Sequence, residues 1–338
     1  METVTSRDVA RLAGVSQPTV SLVLGGNPRA RVADATRTRV LRAAEELGYR
    51  PNLLARGLVR QRSYAVGVLV PDLANPFFAE VVRGVERVAA GQGYAVLLSD
   101  ARETPPEKQL EALRARLVDG VILEGIGAAL LSNRALDGLN VVLIDEPSER
   151  WPGVASDALS AGRLVAEHLL GLGHRAFGFV GPATDVFSFR MRERGFFSAL
   201  RDAGVRPASG WVRRAPPTVG GGEAAMRKLL AEKQRPTAVF CVNDLIALGA
   251  LKASLVKGVR VPEQLSLMGC DDIEMARVVT PELSTVAVPT REMGARAARL
   301  LLRQIGDDAG AGPRPSRLLP VHLVLRGTTA PAPDASIS

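Results

Sequence analysis

The sequence predicts a small all-α helix-turn-helix head followed by an α/β body of two doubly wound parallel-sheet lobes. Three observations lead there. Two short amphipathic segments flank a glycine within the first 24 residues. Residues 1–62 hold eleven arginines, no lysine and five acidic residues, so a net +6 of the chain's +8 lies in the first fifth of its length. From residue 64 onward, short apolar runs alternate with helix-length stretches, the pattern of parallel sheets covered on both faces.

The head reads as three helices. Val9, Ala10 and Leu12–Ala13 supply one short amphipathic helix, with Thr5 or Ser6 as cap and Asp8 near the positive end. Gly14 ends it and permits a tight turn. Ser16 caps a second helix over 17–24, where Pro18 falls in the first turn and its missing N–H costs little. Val20, Val23 and Leu24 are expected in the core. After the break at Gly25–Pro28, a third helix over about 34–46 carries Val40, Leu41, Ala44 and Leu47 at helical spacing, and Gly48 closes it. Asp34 stands near that helix's start, where Ala33 offers no cap.

In such a motif the second helix enters the major groove of DNA. Gln17, Pro18 and Leu22 are placed to reach base edges: Gln17 can pair with adenine, and Leu22 or Pro18 can touch a thymine methyl. Thr19, Ser21 and the arginines are placed to hold phosphates. The clustered positive charge fits a polyanion partner. Aromatic residues make up only 4% of the chain, which disfavours a binder that stacks single-stranded bases.

In the body the runs are Ala65–Val70, Ala95–Leu98, Gly120–Leu123, Val141–Ile144, Ala176–Val180, Ala238–Cys241 and Leu265–Met268. That is too many units for one small sheet at this spacing, so two similar lobes are expected. Ligands of open α/β sheets bind beyond the carboxyl ends of strands. The residues there are Asn75, Phe77 and Phe78 after the first run, Asp145 after the fourth, then Arg190, Arg192, Asn243, Asp244, Asp271 and Asp272. Asn, Asp and Arg side chains each engage neighbouring oxygens of a hydroxyl-rich ligand. Asn243 and Asp244 can equally cap the following helix, and Asp145 and Asp272 can equally be turn residues.

Enzymatic signatures are lacking. Gly220-Gly221-Gly222-Glu223 is not followed by the Gly-Lys-Ser/Thr of a phosphate-binding loop, and no GxSxG elbow occurs. His168, His174 and His322 show no metal-ligand spacing, and Cys241 and Cys270 lie far apart. His174 is expected to be structural. No secretion signal or run of roughly 18 apolar residues is seen, which fits a cytoplasmic protein that needs no membrane, cofactor or metal.

The residues Thr5, Asp8-Val9-Ala10, Ala13-Gly14-Val15-Ser16, Thr19-Val20-Ser21, Arg37 and Gly48-Tyr49-Arg50-Pro51-Asn52 resemble the lac repressor/galactose repressor family of bacterial transcription regulators, and the similarity runs on to about Thr328. The resemblance implies a head at 1–50, a hinge helix and linker at 51–62, a periplasmic-binding-protein-like effector and dimerisation body at 63–328, and a disordered tail at 329–338. It extends the DNA-contacting set to Thr5, Ser16, Asn27, Tyr49, Asn52, Ala55 and Leu58. Leu58 would wedge into the minor groove, where unstacking is offset by contacts to the bent duplex. It points to Asn75, Asp145, Arg192, Asn243 and Asp271 as pocket residues, and to chain crossings between lobes near 158–162, 287–292 and 318–321.

The function so implied is sequence-specific repression. A homodimer would read a near-palindromic operator, because two-fold protein symmetry demands matching half-sites. A sugar-like effector in the cleft would control it. Two departures matter. Leu22 stands where many members carry a guanine-reading arginine, and Cys270 and Pro217 stand where aromatic residues are common.

Overall fold

A computed structural model describes residues 4–24, 32–49, 62–125, 131, 133–183, 185–306 and 318–333. The chain forms two compact units, Met1–Ser63 and Tyr64–Ser338.

The first unit contains α1 (Ser6–Ala13), α2 (Gln17–Leu24) and α3 (Asp34–Glu46). Gly14 takes the left-handed conformation (φ 64°) that ends α1 and turns the chain into α2. Val9, Ala10, Ala13, Val20, Val23, Val40, Ala43 and Ala44 form the core. Leu12 and Leu41, expected inside, are exposed. In α3 the buried stripe runs through Val40, Ala43 and Ala44, one position around the helix from Leu41.

The second unit begins with β1 (Ala65–Val70), α4 (Pro76–Gly91), β2 (Ala95–Asp100), α5 (Pro106–Ala115), β3 (Gly120–Glu124), α6 (Asn133–Leu136), β4 (Val141–Ile144) and β5 (Gly153–Val154). These strands make one parallel sheet in the order β2-β1-β3-β4-β5. The chain continues through α7 (Ala158–Gly171), β6 (Phe177–Pro182), α8 (Phe187–Asp202), β7 (Val212–Ala215), α9 (Val219–Leu230), β8 (Ala238–Cys241), α10 (Asp244–Val256) and β9 (Ser266–Met268). A second parallel sheet has the order β7-β6-β8-β9. Then come β10 (Thr285–Ala287), α11 (Thr290–Ile305) and β11 (His322–Val324), with β10 and β11 antiparallel.

Helix α11 returns to the first lobe, packing on α4 and on β3 and β4. The chain therefore passes between lobes three times: around 155–157, around 288–289, and near Leu319. The first crossing lies a few residues earlier than the sequence suggests, because α7 already starts at Ala158. Ser156 and Leu319 pair there, so two crossings run side by side.

Three helix pairs approach unusually closely, through a glycine on each partner. A methyl group on Gly84 or Gly294 would stand about 2.0–2.1 Å from a main-chain oxygen across the α4–α11 contact. Gly162 and Gly195 play the same part between α7 and α8, and Gly222 and Gly249 between α9 and α10.

The seven apolar runs all become strands. The strand β7 is missed by the sequence because it is Val-Arg-Arg-Ala: an edge strand need not be apolar on both faces. The tail expectation is corrected for residues 329–333. His174 is fully buried and bonds Thr237 Oγ1 (2.9 Å), Ser266 Oγ (3.0 Å) and the Ala330 carbonyl (3.1 Å), while the Ala332 amide donates to the Leu172 carbonyl. This histidine pins the segment after β11 to the second lobe. No helix among the described residues is long and apolar enough to cross a membrane.

Candidate ligand cleft and nucleic-acid interface

The head presents one exposed face of α2. The Asp8 carboxylate accepts both the main-chain N–H (3.0 Å) and the hydroxyl (2.7 Å) of Thr5, which fixes the entry to α1 and holds the Asp8 pKa below its ordinary value. Ser16 Oγ accepts the Thr19 N–H at 3.4 Å and bonds the Thr19 hydroxyl, capping α2. Gln17, Pro18, Ser21 and Leu22 are exposed on one side of α2, opposite buried Val20 and Val23. Gln17 Nε2 donates to Ser6 Oγ at 2.9 Å, so its amide is already held at the start of the helix. Tyr49 is half-buried against the head core. Asn27, Asn52, Ala55 and Leu58 lie outside the described residues.

In the second unit, a cavity of about 680 Å³ lies between the carboxyl ends of the two parallel sheets. The first lobe contributes Asp72, Asn75, Phe77 and Phe78 after β1, Arg102 after β2, Glu124 at the end of β3 and Asp145 after β4. The second contributes Ser188, Phe189 and Arg192 on α8, Pro217 and Thr218 after β7, and Asp271 after β9.

The polar floor is a buried charge cluster. Arg192 is 1% exposed; its Nη1 lies 2.8 Å from Asp271 and donates to the Val242 carbonyl at 2.9 Å. Burial pulls the Arg192 pKa down, but the acidic groups around it, Asp271 first and Asp145 with it, together outweigh that and hold it above the ordinary value. Asp145, in the left-handed region at φ 52°, accepts the Ser156 N–H (2.7 Å) and hydroxyl (3.0 Å). Burial raises the pKa of Asp145, and that of Asp271 to about 6. Glu124 is pushed well above its ordinary value by burial and then by the nearby Asp145 and Asp271. Its Oε2 has no hydrogen-bond partner among the described residues. Phe77 and Phe78 meet edge-to-face at 5.3 Å and, with Phe189, give the cavity apolar walls. Among the described residues no cluster of His, Cys, Asp and Glu is arranged to hold a metal ion.

Residues 5–52 match the description "Bacterial regulatory proteins, lacI family", and residues 166–329 match "Periplasmic binding protein-like domain". The chain is 37% identical to the HTH-type transcriptional repressor CytR of Escherichia coli (strain K12), over 97% of each. The chain belongs to the lacI family.

Among solved structures of similar proteins, the lac repressor dimer bound to operator and an anti-inducer superposes with a TM-score of 0.84. It is 29% identical and covers 97% of this chain and 100% of that one. A complex of the transcriptional regulator CelR with cellobiose superposes at 0.70, with 32% identity over 96% and 99% of the two chains.

Within this lacI-family body, the structure gathers Asn75, Phe77, Phe78, Asp145, Arg192 and Asp271 around one cavity. Two expected pocket residues stand elsewhere. Asn243 is fully buried beneath the floor, where its Oδ1 accepts the Ile246 N–H at 3.0 Å and caps α10. Arg190 points off α8 to Asp185 and lines a separate surface hollow with Glu193 and Arg214. The helix geometry explains this: positions 190 and 192 differ by about 200° around α8, so only one can face the cleft. Asp272 pairs with Arg326 and Arg277 outside the cavity, and Trp151 and Trp211 are not among its lining residues. Sequence reading passes over Glu124, Arg102, Phe189 and Thr218. The rule that singles out Asp145 applies equally to Glu124, a charged residue closing the buried strand Gly-Val-Ile-Leu-Glu.

Proposed function

We propose that this protein is a homodimeric cytoplasmic repressor that binds a near-palindromic operator and is controlled by a small hydroxyl-rich effector, a sugar or sugar derivative, in the cleft. The observation that carries the reading is a single chain holding both a helix-turn-helix head with an exposed α2 face and a cavity at the carboxyl ends of two parallel sheets. Gln17, Pro18 and Leu22 read base edges, and Thr5, Ser16, Thr19, Ser21 and Tyr49 bond the backbone. Asn27, Asn52, Ala55 and the Leu58 wedge complete the contact set. Asn75, Asp145, Arg192 and Asp271 hold the effector's polar groups, against Phe77 and Phe78. Relatives support the two halves of this: one similar structure is a repressor dimer on its operator, another a regulator with cellobiose.

Asp145 links binding to response. It lines the cleft, and it grips Ser156 in the first crossing, which is paired with Leu319 in the third. A ligand contact at Asp145 therefore acts directly on the segments about which the lobes move. A coupling of about 1–3 kcal/mol suffices to change operator occupancy. The test is a mobility-shift titration with the DNA upstream of the protein's own gene over a salt series. Specific binding that weakens steeply with salt is expected; absence of binding at low salt, with and without sugars, rejects the reading.

A further inference from the structure

We infer that the cleft takes a hydroxyl-rich ligand bearing an amino group and no anionic group, and that Glu124 accepts the amino hydrogens. The inference rests on the cleft being the effector site, as proposed above.

Glu124 is 2% exposed, lines the cavity, and leaves Oε2 without a hydrogen-bond partner among the described residues. A buried acceptor without a donor is costly, so a ligand that supplies one is favoured at that spot over one that does not. The surroundings decide which donor. Asp145 and Asp271 stand with Glu124 on the floor, and the single cation there among the described residues, Arg192, faces Asp271 and the Val242 carbonyl through Nη1. Its Nε N–H and Asp271 Oδ1 join Glu124 Oε2 as buried polar atoms without a hydrogen-bond partner among the described residues, one donor against two acceptors. The other cation lining the cleft, Arg102, is paired with Asp72 at 3.3 Å. Acceptors thus outnumber donors, and each cation already faces a carboxylate.

An amino group matches this surplus better than a hydroxyl. It brings two or three N–H donors and positive charge, full or partial, where a hydroxyl brings one donor and further lone pairs. A phosphate or carboxylate would add negative charge to a floor that already holds three carboxyl groups, and would compete with a carboxylate for each cation. The upward push on the Glu124 pKa from burial and its acidic neighbours has the same sense, since an N–H donor or cation is what relieves it. Two sources share the chemistry: amino sugars, and nucleosides with an exocyclic amine.

The full-length chain is tested by thermal shift at millimolar ligand. The matched pairs are glucosamine with glucose, cytidine with uridine and adenosine with inosine; glucose 6-phosphate and adenosine monophosphate are the anionic probes. In at least one pair the amino member is expected to bind at least about tenfold more tightly than its twin, and the anionic probes more weakly than either. The pair that responds identifies the source. Glu124→Gln keeps shape and an acceptor oxygen and should retain part of the preference; Glu124→Met removes the acceptor and should bring the ratio close to one. Equal or tighter binding of a deaminated twin, tightest binding of an anionic probe, an unchanged ratio in Glu124→Met, or no response to any amino probe overturns the inference. Operator binding measured on the same preparation separates the two claims. Release of operator by glucose or glucose 6-phosphate leaves the regulator standing and removes the amine. Failure to bind operator counts against the regulator, whatever the ligand ratios.

Discussion

Arg192 and Asp271 form a 2.8 Å ion pair between α8 and the loop after β9, with both side chains almost fully buried. The pair joins two elements of the second lobe at the floor of the cleft, and Arg192 also holds the Val242 carbonyl beside the start of α10. One charge without the other in this position is strongly unfavourable.

Arg192→Ala should therefore destabilise the protein by about 3–5 kcal/mol, measured as a lowered urea midpoint of the isolated body. The double variant Arg192→Met, Asp271→Asn removes both charges and should recover part of that loss. A single variant as stable as the parent would mean that the pair is solvated and weak.

Ser156→Ala tests the link from cleft to crossing. The main-chain bond to Asp145 survives and only the hydroxyl bond is lost, so stability should change by about 1 kcal/mol. The ligand-induced change in operator affinity should shrink several-fold while ligand affinity itself changes little. Operator titrations with and without whichever ligand shifts the melting temperature read both quantities. An undiminished response would route the coupling elsewhere.

In the head, Gln17→Ala and Ser21→Ala should fail differently. Loss of a base-edge contact costs about 1–3 kcal/mol on the preferred operator and relaxes discrimination at one position. Loss of a backbone contact weakens binding to all sequences alike. Binding to an operator and to single-base variants of it separates the two; identical profiles for the two substitutions would refute the assignment of roles.

Asp244 gives a pH test. Burial, and then the nearby Asp271, raise its pKa from 3.8 to about 7, although Thr285 Oγ1 and the Ile273 N–H donate to it. A carboxyl raised on folding stabilises the native state fully below about pH 4, and that contribution is lost as pH rises through 7. Asp244→Asn removes this group's share of the dependence. The melting temperature of the variant minus that of the parent should thus become more positive from about pH 4 to pH 7 and level off above. Taking the difference removes the opposing effect of His168 and His174, whose lowered pKa values cost stability as pH falls below 6.5. A flat difference would show that Asp244 is ionised throughout.

Periodicity and strand-end logic made much of this molecule legible. Helix α3 was readable from about Asp34 to Glu46 because its apolar residues recur at helical spacing and Gly48 closes it, and β1, β4 and β8 because buried parallel strands are apolar throughout. Edge strand β7 left no such trace. At the site, Asp145 and Arg192 announce themselves as polar residues at the ends of apolar segments. Arg190 and Asn243 look the same in sequence and differ only in direction: one turns outward around α8, the other turns back to cap α10. Glu124 was legible by the same rule, but its missing partner is a three-dimensional fact, set by which neighbours surround it.

The glycine contacts between α4 and α11, α7 and α8, and α9 and α10 have a bearing on how such a protein diversifies. Gly162 rests against the main chain of Arg192 itself, so even a methyl group there would displace the residue at the floor of the cleft. The framework is thus closed to larger residues at these six positions, while the segments after β1, β2 and β7 supply part of the cleft lining. Exchanging those segments would redirect the protein to new signals, with the lobes that answer them left intact.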